Sequence, residues 1–169
     1  MSAPVFVDTN VLVYARDSAQ PAKQALAQDW LATLWRSRSG RLSVQVLSEY
    51  YYTCTRKLQP RMAEPAAWED VRALSQWRPR TLDTALLQSG REIAVQHRLS
   101  WWDGLIVAAA RAEGCSLLLS EDLRDGAVYG GVTVRDPFRM SPSEGAARYR
   151  AEPTAQKAHR PRGRPKRIA

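Results

Sequence analysis

The chain has 169 residues, of which 44% are hydrophobic; this length supports one domain with a substantial core and is short for two. No apolar run approaches the ~20 residues of a membrane span, and Asp8 interrupts the N-terminal apolar stretch where a signal peptide would have its core, so a cytoplasmic protein with no membrane segment is expected. The formal net charge of +8 is misleading as a whole, because residues from Arg148 onward carry eight basic side chains against one acid and leave the body near neutrality; a basic isoelectric point therefore does not by itself make the body a nucleic-acid binder.

Residues 4–8 read as a buried strand, and "VFVDTNVLVY" then places Asp8, Thr9 and Asn10 between two apolar runs. Ser18 is expected to cap a helix reaching about Arg36, with Leu26, Trp30, Leu31, Leu34 and Trp35 at helical spacing. "RLSVQVLSEYYYTCTRKL" reads as a short strand at Arg41 followed by a helix. A further helix follows in "EPAAWEDVRALSQW", where Pro65 suits the first helical position. "RPRTLD" is a weak strand candidate, and Asp83 caps a helix to about Arg98. "WWDGLIVAAARAEG" is the strongest helix in the chain, ended by Gly114. "CSLLLS" and "GGVTVRDP" read as the last strands. Strands alternating with helices, and apolar runs without polar alternation, argue for an α/β domain with a mostly parallel sheet covered on both faces. That domain is expected over residues 1–142, with 143–169 a flexible basic tail rich in Ala, Pro, Gly and Arg. Cys54 and Cys115 show no metal-ligand spacing and read as reduced, partly buried thiols.

Four acids stand where an α/β fold could bring them together. Asp8 ends the first strand, and a capping role for the following helix is its plainest reading. Glu49 lies on the helical face of Val46, Tyr50 and Thr53, where an exposed Glu is the ordinary outcome. Asp103 shares a stripe with Ile106, Val107 and Ala110 at a helix start, where a cap is again the simple reading. Asp122 follows the strand "CSLLLS" in a stretch rich in turn residues. Strand C-terminal ends of a parallel sheet face one crevice. Two carboxylates ~5 Å apart there would repel by roughly 3 kcal/mol at an effective dielectric of 20. A hard divalent ion, Mg²⁺ or Mn²⁺, relieves this through oxygen ligands, and such a site suits a phosphate ester as substrate.

The segments "FVDTNVLVYA", "SVQVLSEYYY", "SWWDGLIVAAARAEGCSLLLSEDL" and "GVTVRDPF", in this order, resemble the successive motifs of PIN (PilT N-terminus) domains, nearest to the VapC-type toxin ribonucleases of toxin–antitoxin pairs. The resemblance spans about residues 4–138. It implies a PIN-like three-layer fold, with a central mostly parallel sheet of four to five strands flanked by helices. It also implies an acidic pocket holding Mg²⁺ or Mn²⁺ for RNA phosphodiester hydrolysis, a homodimer, and a cognate antitoxin. The family's core acids fall on Asp8, Glu49 and Asp103, and its more variable fourth acid on Asp122, with Glu121 and Asp125 as neighbouring alternatives. Thr9, Asn10 and Ser120 match positions that support the pocket.

"RPRGRPKR" in the tail resembles an AT-hook core, which implies minor-groove DNA contact through Arg160, Arg162, Gly163, Arg164, Pro165, Lys166 and Arg167. A generic basic tail attracting any polyanion is the simpler reading. Trp101–Trp102 and Tyr50–Tyr52 read first as core or dimer-interface aromatics and second as platforms for bases. Arg16, Arg56 and Lys57 read first as a solvated face and second as lining of the substrate path. Two other functions compete with the nuclease: a non-catalytic nucleic-acid- or protein-binding module of the same fold, and an enzyme using Asp8 as phosphoryl acceptor. The second is disfavoured by Asn10 standing where a phosphatase would have its second Asp.

Overall fold

A computed structural model describes residues 2–144. Its elements run β1 (Val5–Val7), α1 (Thr9–Tyr14), α2 (Pro21–Ser37), β2 (Gly40–Arg41), α3 (Val44–Arg56), α4 (Glu64–Leu74) with a 3-10 turn at Ser75–Trp77, α5 (Thr84–His97), α6 (Trp101–Ala112), β3 (Leu117–Leu119), β4 (Val128–Tyr129) and β5 (Val132–Arg135). They form one five-stranded sheet in the order β2-β1-β3-β5-β4. The β1–β2, β1–β3 and β3–β5 pairs are parallel and only β4–β5 is antiparallel.

The apolar runs explain this arrangement. Every residue of β1 and β3 is buried, as central parallel strands covered on both faces must be. Phe6, Val7, Leu118, Leu119 and Val134 are fully inaccessible and join Val11, Val46 and Val107 from the helices in one core. Helices α5 and α6 pack closely because Gly90 and Gly104 face one another's helix; a Cβ on Gly104 would stand 2.5 Å from the Gly90 carbonyl oxygen.

Two expected features differ, and one expected strand gains a partner. Helix α2 starts at Pro21 with Gln20 at its N-cap, and Ser18 does not cap it. The reason is a turn over residues 17–20: the Asp17 side chain accepts from the Ala19 amide at 3.0 Å and the Asp17 carbonyl accepts from the Gln20 amide at 3.2 Å. "RPRTLD" forms no strand, only an isolated bridge between Ser43 and Arg80; Pro79 beside it has no amide proton to extend a ladder. The "GGVTV" stretch is half of a hairpin with β4, turning through Gly130 and Gly131, both at positive φ. The tail from residue 145, with the AT-hook-like segment Arg160 to Arg167, lies outside the described residues. Among the described residues no helix is long and apolar enough to cross a membrane. Cys54 and Cys115 are buried free thiols.

Candidate functional site

The C-terminal ends of β1 and β3 deliver Asp8 and Ser120 side by side. Asp8 is only 6% exposed and Ser120 is fully buried. One Asp8 oxygen caps α1, accepting from the Thr9 amide at 2.7 Å. The other accepts from the Ser120 hydroxyl at 2.7 Å and from the Asn10 amide group at 3.3 Å. Capping and pocket lining are thus combined in one residue: the cap engages one oxygen, Ser120 and Asn10 engage the other, and the residue lines a cleft.

Asn10 is the connector between strand ends. Its Nδ2 reaches the Ser120 Oγ at 3.3 Å and the Asp122 carboxylate at 3.1 Å, while its Oδ1 accepts from the Glu121 amide at 3.3 Å. The Ser120 Oγ in turn accepts from the backbone amides of Asp122 and Leu123 at 3.2 and 3.4 Å, folding the β3 exit into a tight turn. Glu49 arrives on α3, which Ser43 caps. Its two oxygens accept from the Thr9 hydroxyl at 2.8 Å and from Gln45 Nε2 at 2.9 Å. Asp103 occupies the first turn of α6, two residues inside the helix rather than at its cap; Ser100 is the cap. Ser100 Oγ accepts from the Asp103 amide at 3.1 Å and donates to its carboxylate at 2.7 Å, a reciprocal box that fixes the acid at a favourable helix N-terminus.

Asp8, Glu49, Asp103 and Asp122 all line one cleft of about 480 Å³, with Thr9 and Asn10 in its wall. The neighbouring acids do not share this place: Glu121 is ion-paired to Lys23 and Asp125 accepts from the Asp136 amide. A larger cavity of about 750 Å³ lies at the opposite end of the strands, but Glu113 is the only carboxylate in its wall.

Burial pushes the Asp8 carboxyl up to about 6, with the charges of Asp122 and Glu49 adding to the effect and the Ser120 and Thr9 hydrogen bonds opposing it. The protein therefore holds a carboxylate where its charge is poorly compensated. The donor set, oxygen throughout and without His or Cys, is the kind a hard divalent cation takes. Each acid is engaged by hydrogen-bond donors of the chain, and among the described residues no three are gathered into a closed chelating group.

Two lining residues carried no signal of their own in the sequence, Gln45 and Asp17, and three for which a plainer reading came first, Tyr52, Lys57 and Trp102, line the cleft as well. Gln45 could have been found from its i, i+4 spacing to Glu49 on α3. The basic residues separate clearly. Arg16 pairs with Asp70 and Arg56 with Glu64, away from the cleft, whereas Lys57 lines it. The aromatics divide too: Tyr50 is core and Tyr51 packs edge-on against Trp68, but Tyr52, Trp101 and Trp102 are exposed.

A family model described as PIN domain matches residues 5–129. The crystal structure of VapC20 from Mycobacterium tuberculosis, described as a sarcin–ricin-loop-cleaving toxin, aligns with a TM-score of 0.51 over 68% of this chain and 86% of that one, at 21% identity. At that identity the likeness is one of fold. No curated protein matches the chain.

Proposed function

The chain belongs to the PIN domain family, and from that premise we propose that it is a metal-dependent endoribonuclease, the toxin of a toxin–antitoxin pair. The observation that carries this reading is the meeting of Asp8, Glu49, Asp103 and Asp122, from four separate segments, in one cleft at the strand ends. The similarity in fold to a toxin described as cleaving the sarcin–ricin loop supports RNA as the substrate class.

Asp8, Glu49, Asp103 and Asp122 are the residues to hold Mg²⁺ or Mn²⁺. When bound, such an ion supplies water activation and charge stabilisation at a phosphoryl group. The rest falls to the chain. Ser120 and the Thr9 amide fix the Asp8 carboxylate in one rotamer. The Thr9 hydroxyl and Gln45 orient Glu49, and Asn10 orients Asp122. Because the Asp8 carboxyl sits near 6 and a ligating carboxylate must be ionised, cation affinity rises with pH through that range. Asp122, free of the ion pair that occupies Glu121, is the fourth acid. In this reading the protein is a cytoplasmic homodimer. A cognate antitoxin silences it by reaching into the cleft, and the basic tail holds RNA or DNA nearby without taking part in chemistry.

Calorimetric titration of the full chain with Mn²⁺, without RNA, tests the site. Binding is expected in the wild type and in Glu121→Gln and Asp125→Asn, and is expected to be lost in Asp8→Asn. Unchanged binding in Asp8→Asn would refute the assignment.

A further inference from the structure

Trp102 and Tyr52 are 62% and 57% exposed, although each lines the acidic cleft. Trp30 and Tyr50 are core, at 3% and 2% exposed, and the other exposed tryptophans, Trp35, Trp68 and Trp101, do not line this cleft. The two exposed rings come from the two helices that also bring acids to the cleft. Trp102 is the residue before Asp103 on α6, and Tyr52 lies about one turn beyond Glu49 on α3. Gln45 ties these helices across the cleft, donating to Glu49 at 2.9 Å and to the Trp102 carbonyl oxygen at 3.4 Å. Lys57 stands with Tyr52, its Nζ 5.4 Å from the ring centroid. It makes no ion pair among the described residues, whereas Arg16, Lys23 and Arg56 are each matched to a carboxylate.

We propose that Trp102 and Tyr52 are nucleobase platforms flanking the acids, with Lys57 as the phosphate contact beside them, and that these three residues hold the unpaired nucleotides next to the scissile phosphate. The inference rests on the nuclease reading and adds a binding subsite to it. An aromatic face binds any base by stacking, but a paired A-form helix keeps its base faces inside the stack and offers only edges, sugars and phosphates. Rings in the wall of the same cleft as the acids are of use only to bases splayed out of a helix.

Binding of a short labelled single-stranded RNA and of a hairpin duplex is measured in EDTA, using the full chain with Asp8→Asn to prevent cutting. The tail contributes to both ligands, so the difference between them reports the platforms. Adding Trp102→Ala or Tyr52→Ala is expected to weaken single-strand binding roughly tenfold, as the loss of one base–aromatic stack does, and to leave duplex binding unchanged. Trp102→Phe is expected to restore most of the loss, with the molar mass by light scattering the same throughout. In the otherwise wild-type enzyme Lys57→Ala should raise KM more than it lowers kcat. Unaltered single-strand binding in both alanine variants, or a fall in molar mass that accounts for weaker binding, would overturn the proposal. Cutting by wild type with unaltered binding in the variants would sink the platforms and leave the nuclease. Platform-dependent binding by a wild type that never cuts would do the reverse.

Discussion

At the scale of single residues, Asp8 combines a structural cost with a chemical use. Its carboxyl is raised to about 6 in the folded protein, above the ordinary Asp value near 4. The folded state therefore holds the proton more tightly than the unfolded chain. Protonation stabilises the fold below about pH 4, and that contribution disappears as pH rises through 6. A shift of this size corresponds to a native-state cost on the order of 3 kcal/mol at neutral pH. Asp8→Asn, which keeps a capping oxygen, is expected to raise stability in EDTA at pH 7.5 and to flatten the profile between pH 4 and 7, as read by urea denaturation at several pH values. Ser120→Ala removes the buried donor facing Asp8. It should destabilise by about 1–3 kcal/mol and move the midpoint of the pH profile upward. Asp8, Asp103 and Asp122 were legible in the sequence because each follows a strand or lies at a helix start, whereas Glu49, inside α3, was marked only by the order of the motifs. The sequence did not distinguish Lys57 from Arg16 and Arg56, because their acid partners, Asp70 and Glu64, are supplied by a different helix, α4.

At the scale of elements, the site depends on how closely α6 approaches α5. Gly104, next to Asp103, is the point of contact, and the atom a methyl group would meet is a backbone oxygen that cannot swing away. Gly104→Ala is expected to cost about 1–3 kcal/mol by overpacking and to lower activity by displacing the first turn of α6, which paired thermal melts and cleavage rates would show. The elements legible in the sequence were those with strong local signals: the apolar strands β1 and β3, and the Asp83 cap of α5. The start of α2 was not, since the Asp17 turn outcompetes Ser18 as the local hydrogen-bonding arrangement. Strand β4 has two residues, and its signal was the Gly130–Gly131 pair, a two-residue hairpin turn.

At the scale of the molecule, the parallel sheet separates two ends with different characters. Asp8, Ser120 and Asp122 leave its C-terminal end into the acidic cleft, while a cavity with arginines and tryptophans lies at the other. The excess positive charge is on the tail. Removal of residues 148–169 is therefore expected to weaken binding to RNA and DNA alike and to reduce its salt dependence, with kcat at saturating RNA retained. The central claim is that the cleft cuts RNA with a divalent cation held by Asp8. The most direct measurement is cleavage of end-labelled structured and single-stranded RNAs by wild type and Asp8→Asn in Mg²⁺, Mn²⁺ and EDTA. Cutting by wild type with either metal, abolished by EDTA and by Asp8→Asn while the variant remains folded, is the predicted result. Cutting that survives in EDTA or in Asp8→Asn would contradict it.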